Sequence, residues 1–401
     1  MIMANNNENK ILNVPNLRFP EFSGEWSSQP LTDFMNFKNG LNPDAKRFGR
    51  GTKFISVMDI LNNQYICYDN IRASVELQDG DIETYGVDYG DILFQRSSET
   101  LEDVGRANVY LDSKPAIFGG FVIRGKSKGN YNPLFFRYLL ASPTARKRII
   151  VKGAGAQHFN IGQDGLSKVS LDIPRLSEQE KIGKLLQCVD ARIATQNKII
   201  EDLKKLKSAI IHRCYSSQTN MIPLSELLKQ CSDRNRSGSD LQVLSVSNKY
   251  GFIAQSNQFE DREVASDDTS NYKVVKKGMF AYNPARINVG SIALYEMDGN
   301  GIVSPMYVCF TTKSELLPSY LKYYFASQTF KHEMYKRLEG SVRLCLTFEE
   351  LCNIEIHLPS IEQQKNISKY ISKIENNLSL VDSIFSKYQQ QRRYLLSQMF
   401  I

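Results

Sequence analysis

The chain repeats itself at an offset of 185 residues, which narrows the folds open to it more than any composition figure does. The stretch PRLSEQEKI, Pro174 to Ile182, returns as PSIEQQKNI, Pro359 to Ile367. On the same register Pro133 falls on Pro318, Tyr138 on Tyr323, Gly155 on Gly340 and Leu166 on Leu351. From there the match runs without a gap to the last residue.

Behind each repeated opening lies an apolar run. Ile182, Leu186, Val189, Ile193, Ile200, Leu203 and Ile210 follow steps of three and four, with Gln196 and Lys207 at two intervening positions. The second copy carries Ile367, Ile371, Ile374, Leu378, Val381, Phe385, Tyr388 and Leu395, with Arg392 opposite Lys207. This is coiled-coil seam spacing, sustained over more than four heptads and written twice. Ser177 with Glu180 and Ser360 with Gln363 read as capping boxes at the two starts. The first run then predicts a helix of roughly 38 residues, about 57 Å at 1.5 Å per residue. A seam that long needs a partner helix, and the repeat supplies one. The plainer alternative has each helix packing on its own globular domain. Lys207 and Arg392 are expected to snorkel at the seam edge.

Upstream the register drifts. Ile55-Ser56-Val57 resembles Leu244-Ser245-Val246, and Tyr89 to Ile92 resembles Lys277 to Phe280, at offsets of 188 to 189. Short β-branched and aromatic runs cover 53–57, 91–95 and 116–123 in the first copy, and 242–246, 279–283 and 302–310 in the second. A helix is expected over 133–151 and again over 318–338. The fold class is therefore α/β (α+β). Two similar globular domains are expected to be separated by two long antiparallel coiled-coil helices, as a pseudo-twofold internal repeat. The boundaries read as 1–172 for the first domain, 173–218 for the first long helix, 219–357 for the second domain and 358–401 for the second long helix.

Bulk numbers exclude more than they assign. The 401 residues are 42% hydrophobic and 23% charged, ordinary for a soluble globular protein. A net charge of +7 permits a polyanionic partner without demanding one. The opening MIMANNNENK has no signal-peptide core, and no apolar run is long enough for a membrane span. Seven scattered cysteines with no C-x-x-C pair fit reduced thiols, so a cytoplasmic location is expected. His158, His212, His332 and His357 stand at no metal-ligand spacing, so no metal is expected.

Tandem equivalent units can pack about a pseudo-twofold axis, as a dimer written on one chain. With side-by-side antiparallel helices, the globular domains would be held apart as by a spacer bar. Double-stranded DNA suits such a device, because twofold protein symmetry and fixed half-site spacing go together.

At this point the chain resembles the specificity subunit of type I restriction–modification enzymes. The likeness rests on Val14-Pro-Asn-Leu-Arg-Phe-Pro-Glu-Phe-Ser-Gly-Glu-Trp26, on the two P-x-[LI]-x-[EQ]-Q openings and on the paired helices. It implies two target-recognition domains, each reading one half of an interrupted, asymmetric DNA site. It implies helical spacers that dock two methyltransferase subunits, joined by restriction subunits with translocase and nuclease domains. S-adenosylmethionine, ATP and Mg²⁺ would then sit on those partners, with no cofactor on this chain. The globular halves match the family only in scaffold, so the target bases stay unread.

Base reading favours forked donors and phosphate contact favours cations. The candidates in the first domain are Lys46, Arg47 and Arg50; Gln95, Arg96 and Ser97; and Gln157, His158 and Asn160. In the second they are Arg234 and Arg236; Asn283 and Arg286; and Ser341 and Arg343. Each such loop is equally readable as solvated surface.

No catalytic constellation appears. The run Asn283-Pro284-Ala285-Arg286 lacks the second proline and aromatic of a methyltransferase motif, and no phosphate-binding G-x-x-x-x-G-K-[ST] occurs. Glu178 and Glu180 are explained by a helix N-terminus alone. The chain is expected to be non-catalytic by itself. The rival reading is a coiled-coil scaffolding protein whose globular domains bind proteins; it predicts no salt-dependent affinity for DNA.

Overall fold

In the computed structural model, residues 2–3, 12–217, 219–236, 238, 240–255, 268–340 and 344–401 are described. Two compact units emerge, 1–197 with 383–401, and 198–382. Each unit therefore owns one globular domain and part of both long helices, which span Leu176–Tyr215 and Ile361–Gln398.

The two globular domains share one topology. In the first unit, Ala107–Val109, Ile92–Gln95, Val122–Ser127 and Met35–Asn39 form a four-stranded antiparallel sheet in that order. In the second, Ile292–Leu294, Phe280–Tyr282, Val308–Thr312 and Leu228–Cys231 repeat it. A second sheet in each unit is built around one parallel pair, Phe48–Ile55 with Ala116–Phe118, and Gln242–Ser247 with Gly301–Val303. A parallel pair flanked by antiparallel edges is specific enough that its recurrence marks a duplicated fold.

Three expectations from the sequence need correction. The β run over 116–123 is two strands, broken by a turn at Gly119–Phe121, and the run over 302–310 breaks likewise near Pro305. Each expected single helix is also two, Pro133–Ala141 with Pro143–Ile150, and Pro318–Phe325 with Gln328–Lys336. Buried Ser142 and Ser327 cap the second member, accepting from the Ala145 and Phe330 N–H groups at 3.2 and 3.0 Å. Finally, Ser177 caps nothing, because the helix already begins at Leu176, and the N–H groups of Glu178 and Gln179 donate to Arg175 O. The Ser360–Gln363 box is present, with bonds of 3.1 to 3.3 Å in both directions.

What the repeated openings do encode is a buried glutamine. Gln179 donates Nε2–H to Pro174 O at 2.9 Å and accepts from the Asn132 N–H at 3.0 Å. Gln364 donates to Pro359 O at 2.9 Å and accepts from the Leu317 N–H at 2.8 Å. One amide thus joins the start of a long helix to the start of a short helix in both units, and Gln364 adds a bond to Glu315 O at 2.9 Å. The first unit adds a clamp. Arg18 grips buried Glu178 with two bonds of 2.8 Å, and Trp26 Nε1–H reaches the same carboxylate at 3.4 Å.

Within each unit the long-helix segments run antiparallel, locked at a polar node. In the first unit Asp190 accepts from Tyr138 Oη at 2.9 Å, Arg137 Nη1 at 3.3 Å and Arg392 Nε at 2.6 Å. In the second, Glu375 accepts from Tyr323 Oη at 2.9 Å and Lys207 Nζ at 2.6 Å. Carboxylate, tyrosine and cation all correspond on the 185 register. Lys207 and Arg392 therefore do more than snorkel, since each ion-pairs with the other long helix. The nodes differ where Arg137 becomes Lys322, which pairs with Glu296 instead.

Apolar packing surrounds each node. Ile182, Leu186 and Val189 join Leu395, Leu396, Met399 and Phe400 in a core with Phe135, Phe136 and Tyr138. In the second unit Ile211 and Tyr215 join Ile371, Tyr320 and Tyr324. The ring pair Phe135–Phe400, at 5.6 Å, answers Tyr215–Tyr320, at 4.8 Å. Along the seam Ile200 is also buried, while Ile193, Leu203, Ile210, Ile367, Ile374, Leu378, Val381, Phe385 and Tyr388 are half-buried.

Two stability predictions follow from this framework. Asp190→Ala removes a buried carboxylate and strands the mostly buried Arg137, with Arg392 half-buried beside it, and should cost roughly 3 kcal/mol. Glu375→Ala should cost about 1 kcal/mol, because that side chain keeps 34% of its surface in water. Urea unfolding checks the pair, and equal losses would contradict burial as the cause. Gln179→Ala leaves one N–H and one carbonyl without this partner, and Gln364→Ala one N–H and two carbonyls, each variant costing about 1–3 kcal/mol. An unchanged melting temperature for either variant would refute the clamp.

Candidate nucleic-acid interface

In the first domain, backbone pairing brings four loops into one face. Leu41 N–H donates to Phe118 O, Arg96 N–H to Phe121 O and Ile161 N–H to Arg96 O, each at 2.9 Å. Ser97–Ser98 pairs with Phe159–Asn160, and Ala154 exchanges backbone bonds with Asn160. Segments 40–42, 95–98, 119–121 and 154–161 are thereby neighbours, although they are far apart in sequence.

The candidates of this domain are unequal, and Lys46, Arg47 and Arg50 belong to a separate segment that pairs with Glu76 and Asp81. Lys46 is exposed in the single turn Ala45–Arg47. Arg50 is exposed and paired with Glu76 at 2.6 Å, a contact that water screens. Arg47 is committed inward, donating Nε–H to Glu76 O at 2.9 Å and ion-pairing with Asp81. The Gln78 N–H and the Arg47 guanidinium hold the Asp81 carboxyl below the usual carboxylate range. Arg96 is half-buried and donates Nη1–H to Gly120 O at 3.3 Å. Ser97 and Asn160 are hydrogen-bonded to each other, and Gln157 and His158 stand exposed beside them. Gln95 requires correction as a surface contact. It ends a strand whose side chains are all buried, and its Nε2–H donates to Ser97 O at 2.8 Å.

In the second domain Arg234 and Arg236 are exposed, and Arg234 Nη1 donates to Asn271 Oδ1 at 3.0 Å. Asn283 caps the turn Pro284–Val289, accepting from the Ala285 N–H at 3.0 Å, and Arg286 projects from that turn into water. Ser341 and Arg343 lie outside the described residues. Their flanks pair as in the first domain, Glu339 with Cys345 answering Ala154 with Asn160. Gly155 and Gly340 hold positive φ of 142° and 111° at the same place. Two residues on these faces escaped the sequence reading, Phe121 and Met306. Their signal was the 185 register itself, which pairs them inside the apolar runs taken as unbroken strands.

Each face offers cations, amides and hydroxyls on loops anchored by a rigid sheet, the donor set that phosphate and base edges require. Among the described residues no cluster of His, Cys, Asp and Glu could hold a metal ion.

Comparison with known proteins agrees with this arrangement. The family described as the type I restriction modification DNA specificity domain matches residues 23–205 and 238–384. The type I restriction enzyme MjaVIII specificity subunit of Methanocaldococcus jannaschii is 24% identical, over 95% of this chain and 92% of its own. Among solved structures, the S subunit of a type I restriction–modification system from M. genitalium superposes with a TM-score of 0.60 at 15% identity, covering 97% of this chain and 99% of its own. A structure from a study of assembly and conformational transition of the type I system gives a TM-score of 0.53 at 13% identity, over 92% and 96%. At such identities the superpositions speak for the fold. With both of its halves matched by the family, this chain belongs to the type I restriction–modification DNA specificity family.

Proposed function

We propose that this chain is the sequence-reading subunit of a type I restriction–modification complex. Each globular domain reads one half of an asymmetric, interrupted site on double-stranded DNA, and partner subunits methylate adenine or cut. The observation that carries the proposal is duplication with divergence. The two domains repeat their sheets strand for strand, while the loops they support differ, with Arg96-Ser97 in one and Asn283 and Arg286 in the other. Unlike readers on like scaffolds suit unlike half-sites.

The division of labour follows from the residues. Lys46, Arg50 and Arg234 are suited to phosphate, and Arg96, Asn160, Asn283 and Arg286 to base edges. The long helices, 173–218 and 358–401, serve as spacers that dock two methyltransferase subunits, between the reading domains 1–172 and 219–357. Restriction subunits complete the assembly. S-adenosylmethionine, ATP and Mg²⁺ are assigned to those partners. The compartment proposed is the cytoplasm, where the seven free cysteines would stay reduced.

The scaffolding alternative is less favoured, because it gives no reason for forked donors to recur on equivalent loops. Two measurements test the proposal. Single-molecule sequencing of genomic DNA should show a bipartite adenine-methylated motif only when this chain is co-expressed with its methyltransferase; no motif would refute the assignment. Replacing residues 20–170 by another such domain should change one half of that motif and leave the other intact. A change in both halves would refute one domain per half-site.

A further inference from the structure

The turn that splits each long β run carries an apolar tip. In the first domain Gly119, Gly120, Phe121 and Val122 form a β-turn closed by the Val122 N–H donating to Gly119 O at 2.8 Å. In the second, Ser304, Pro305, Met306 and Tyr307 form the same turn, closed by the Tyr307 N–H donating to Ser304 O at 3.0 Å. All four positions correspond on the 185 register. The third position is apolar both times, and both side chains stand in water, Phe121 at 69% and Met306 at 63% exposure.

A single exposed apolar residue needs no explanation. Recurrence at one position of one turn, in domains whose neighbouring residues differ, does. The turns are also stiff. Arg96 holds the first through its N–H on Phe121 O at 2.9 Å and its Nη1 on Gly120 O at 3.3 Å. A Cβ on Gly120 would strike the Asn42 side chain, so the backbone is pressed against its neighbour. In the second turn Pro305 restricts φ, and Asn283 Nδ2 lies 3.6 Å from Met306 Sδ. Each tip therefore sits beside the polar side chains assigned to DNA, Arg96 and Ser97 in one case and Asn283 in the other.

We propose that Phe121 and Met306 are apolar wedges, one per domain, each inserting at one base step of its half-site and unstacking it. Phenylalanine and methionine are both side chains that proteins use in this way, with adjacent cations and amides holding the deformed backbone. A pre-set turn loses little conformational freedom on insertion. The wedge would add a preference for easily unstacked pyrimidine–purine steps, a form of sequence reading that needs no hydrogen bond. This inference rests on the DNA-reading function proposed above.

The test uses the full chain and a duplex carrying its motif, with a fluorescent adenine analogue, quenched by stacking, placed at successive steps of both half-sites. Wild-type protein should brighten one step in each half-site several-fold. Phe121→Ala should abolish the signal in the first domain's half-site alone, and Met306→Ala in the other, with melting temperatures unchanged. The wedge is overturned if wild-type protein binds with steep salt dependence yet brightens no step, or if the variants keep the full signal. It is equally overturned if the variants lose only co-purification with the methyltransferase, which would make the tips a protein-docking feature. Absence of any salt-sensitive binding removes the parent function, and the wedge with it.

Discussion

A buried carboxylate on a long helix is the interaction on which this architecture turns. Asp190 gathers a tyrosine and an arginine from a short helix of the globular domain and a second arginine from the other long helix. Burial of Arg137 would by itself push its pKa down, which is the cost of placing a cation there. A charge so enclosed tolerates few geometries, since losing the shared carboxylate leaves both arginines without their partner. The node therefore fixes the register of one helix against the other and of both against the domain. Glu375, with Tyr323 and Lys207, does the same in the second unit.

Around those nodes the two units repeat their fastenings down to single amides. Gln179 and Gln364 close the same pair of backbone groups, and Ser142 and Ser327 cap the same helix. The polar side chains that the loops carry do not repeat in this way. A scaffold that is over-determined by buried polar contacts can hold variable loops without losing its shape, because surface changes away from such contacts cost little. Geometry and content are thus carried by different residues, as a reader of two unlike half-sites requires.

Much of this is legible in the sequence alone. The seam positions declared themselves by period, because a helix burying one stripe must place apolar residues every three or four positions. The glutamine clamps were visible as repeated letters, but their role was hidden, since Gln179 finds its acceptor and donor in residues 174 and 132. The capping box at Ser177 misled for a local reason: the motif was present, but the helix had already begun. Gln95 misled for a different one, because a polar residue at a strand end can turn inward when a nearby carbonyl accepts its hydrogen bond. Both β runs were read as continuous because apolar Phe121 and Met306 disguise a turn.

The sequence by itself determined the duplication, the paired helices, the α/β class and the family likeness, since periodicity and repetition are properties of the chain and survive without a third dimension. Only the tertiary structure decided which loops share a face, which arginines are free and which are spent, and that two apolar side chains point into water. Those facts depend on contacts between residues far apart in the chain, as in Arg392 with Asp190, 202 positions away. No local pattern encodes such contacts, because each partner's residue type is compatible with many others until the fold selects one.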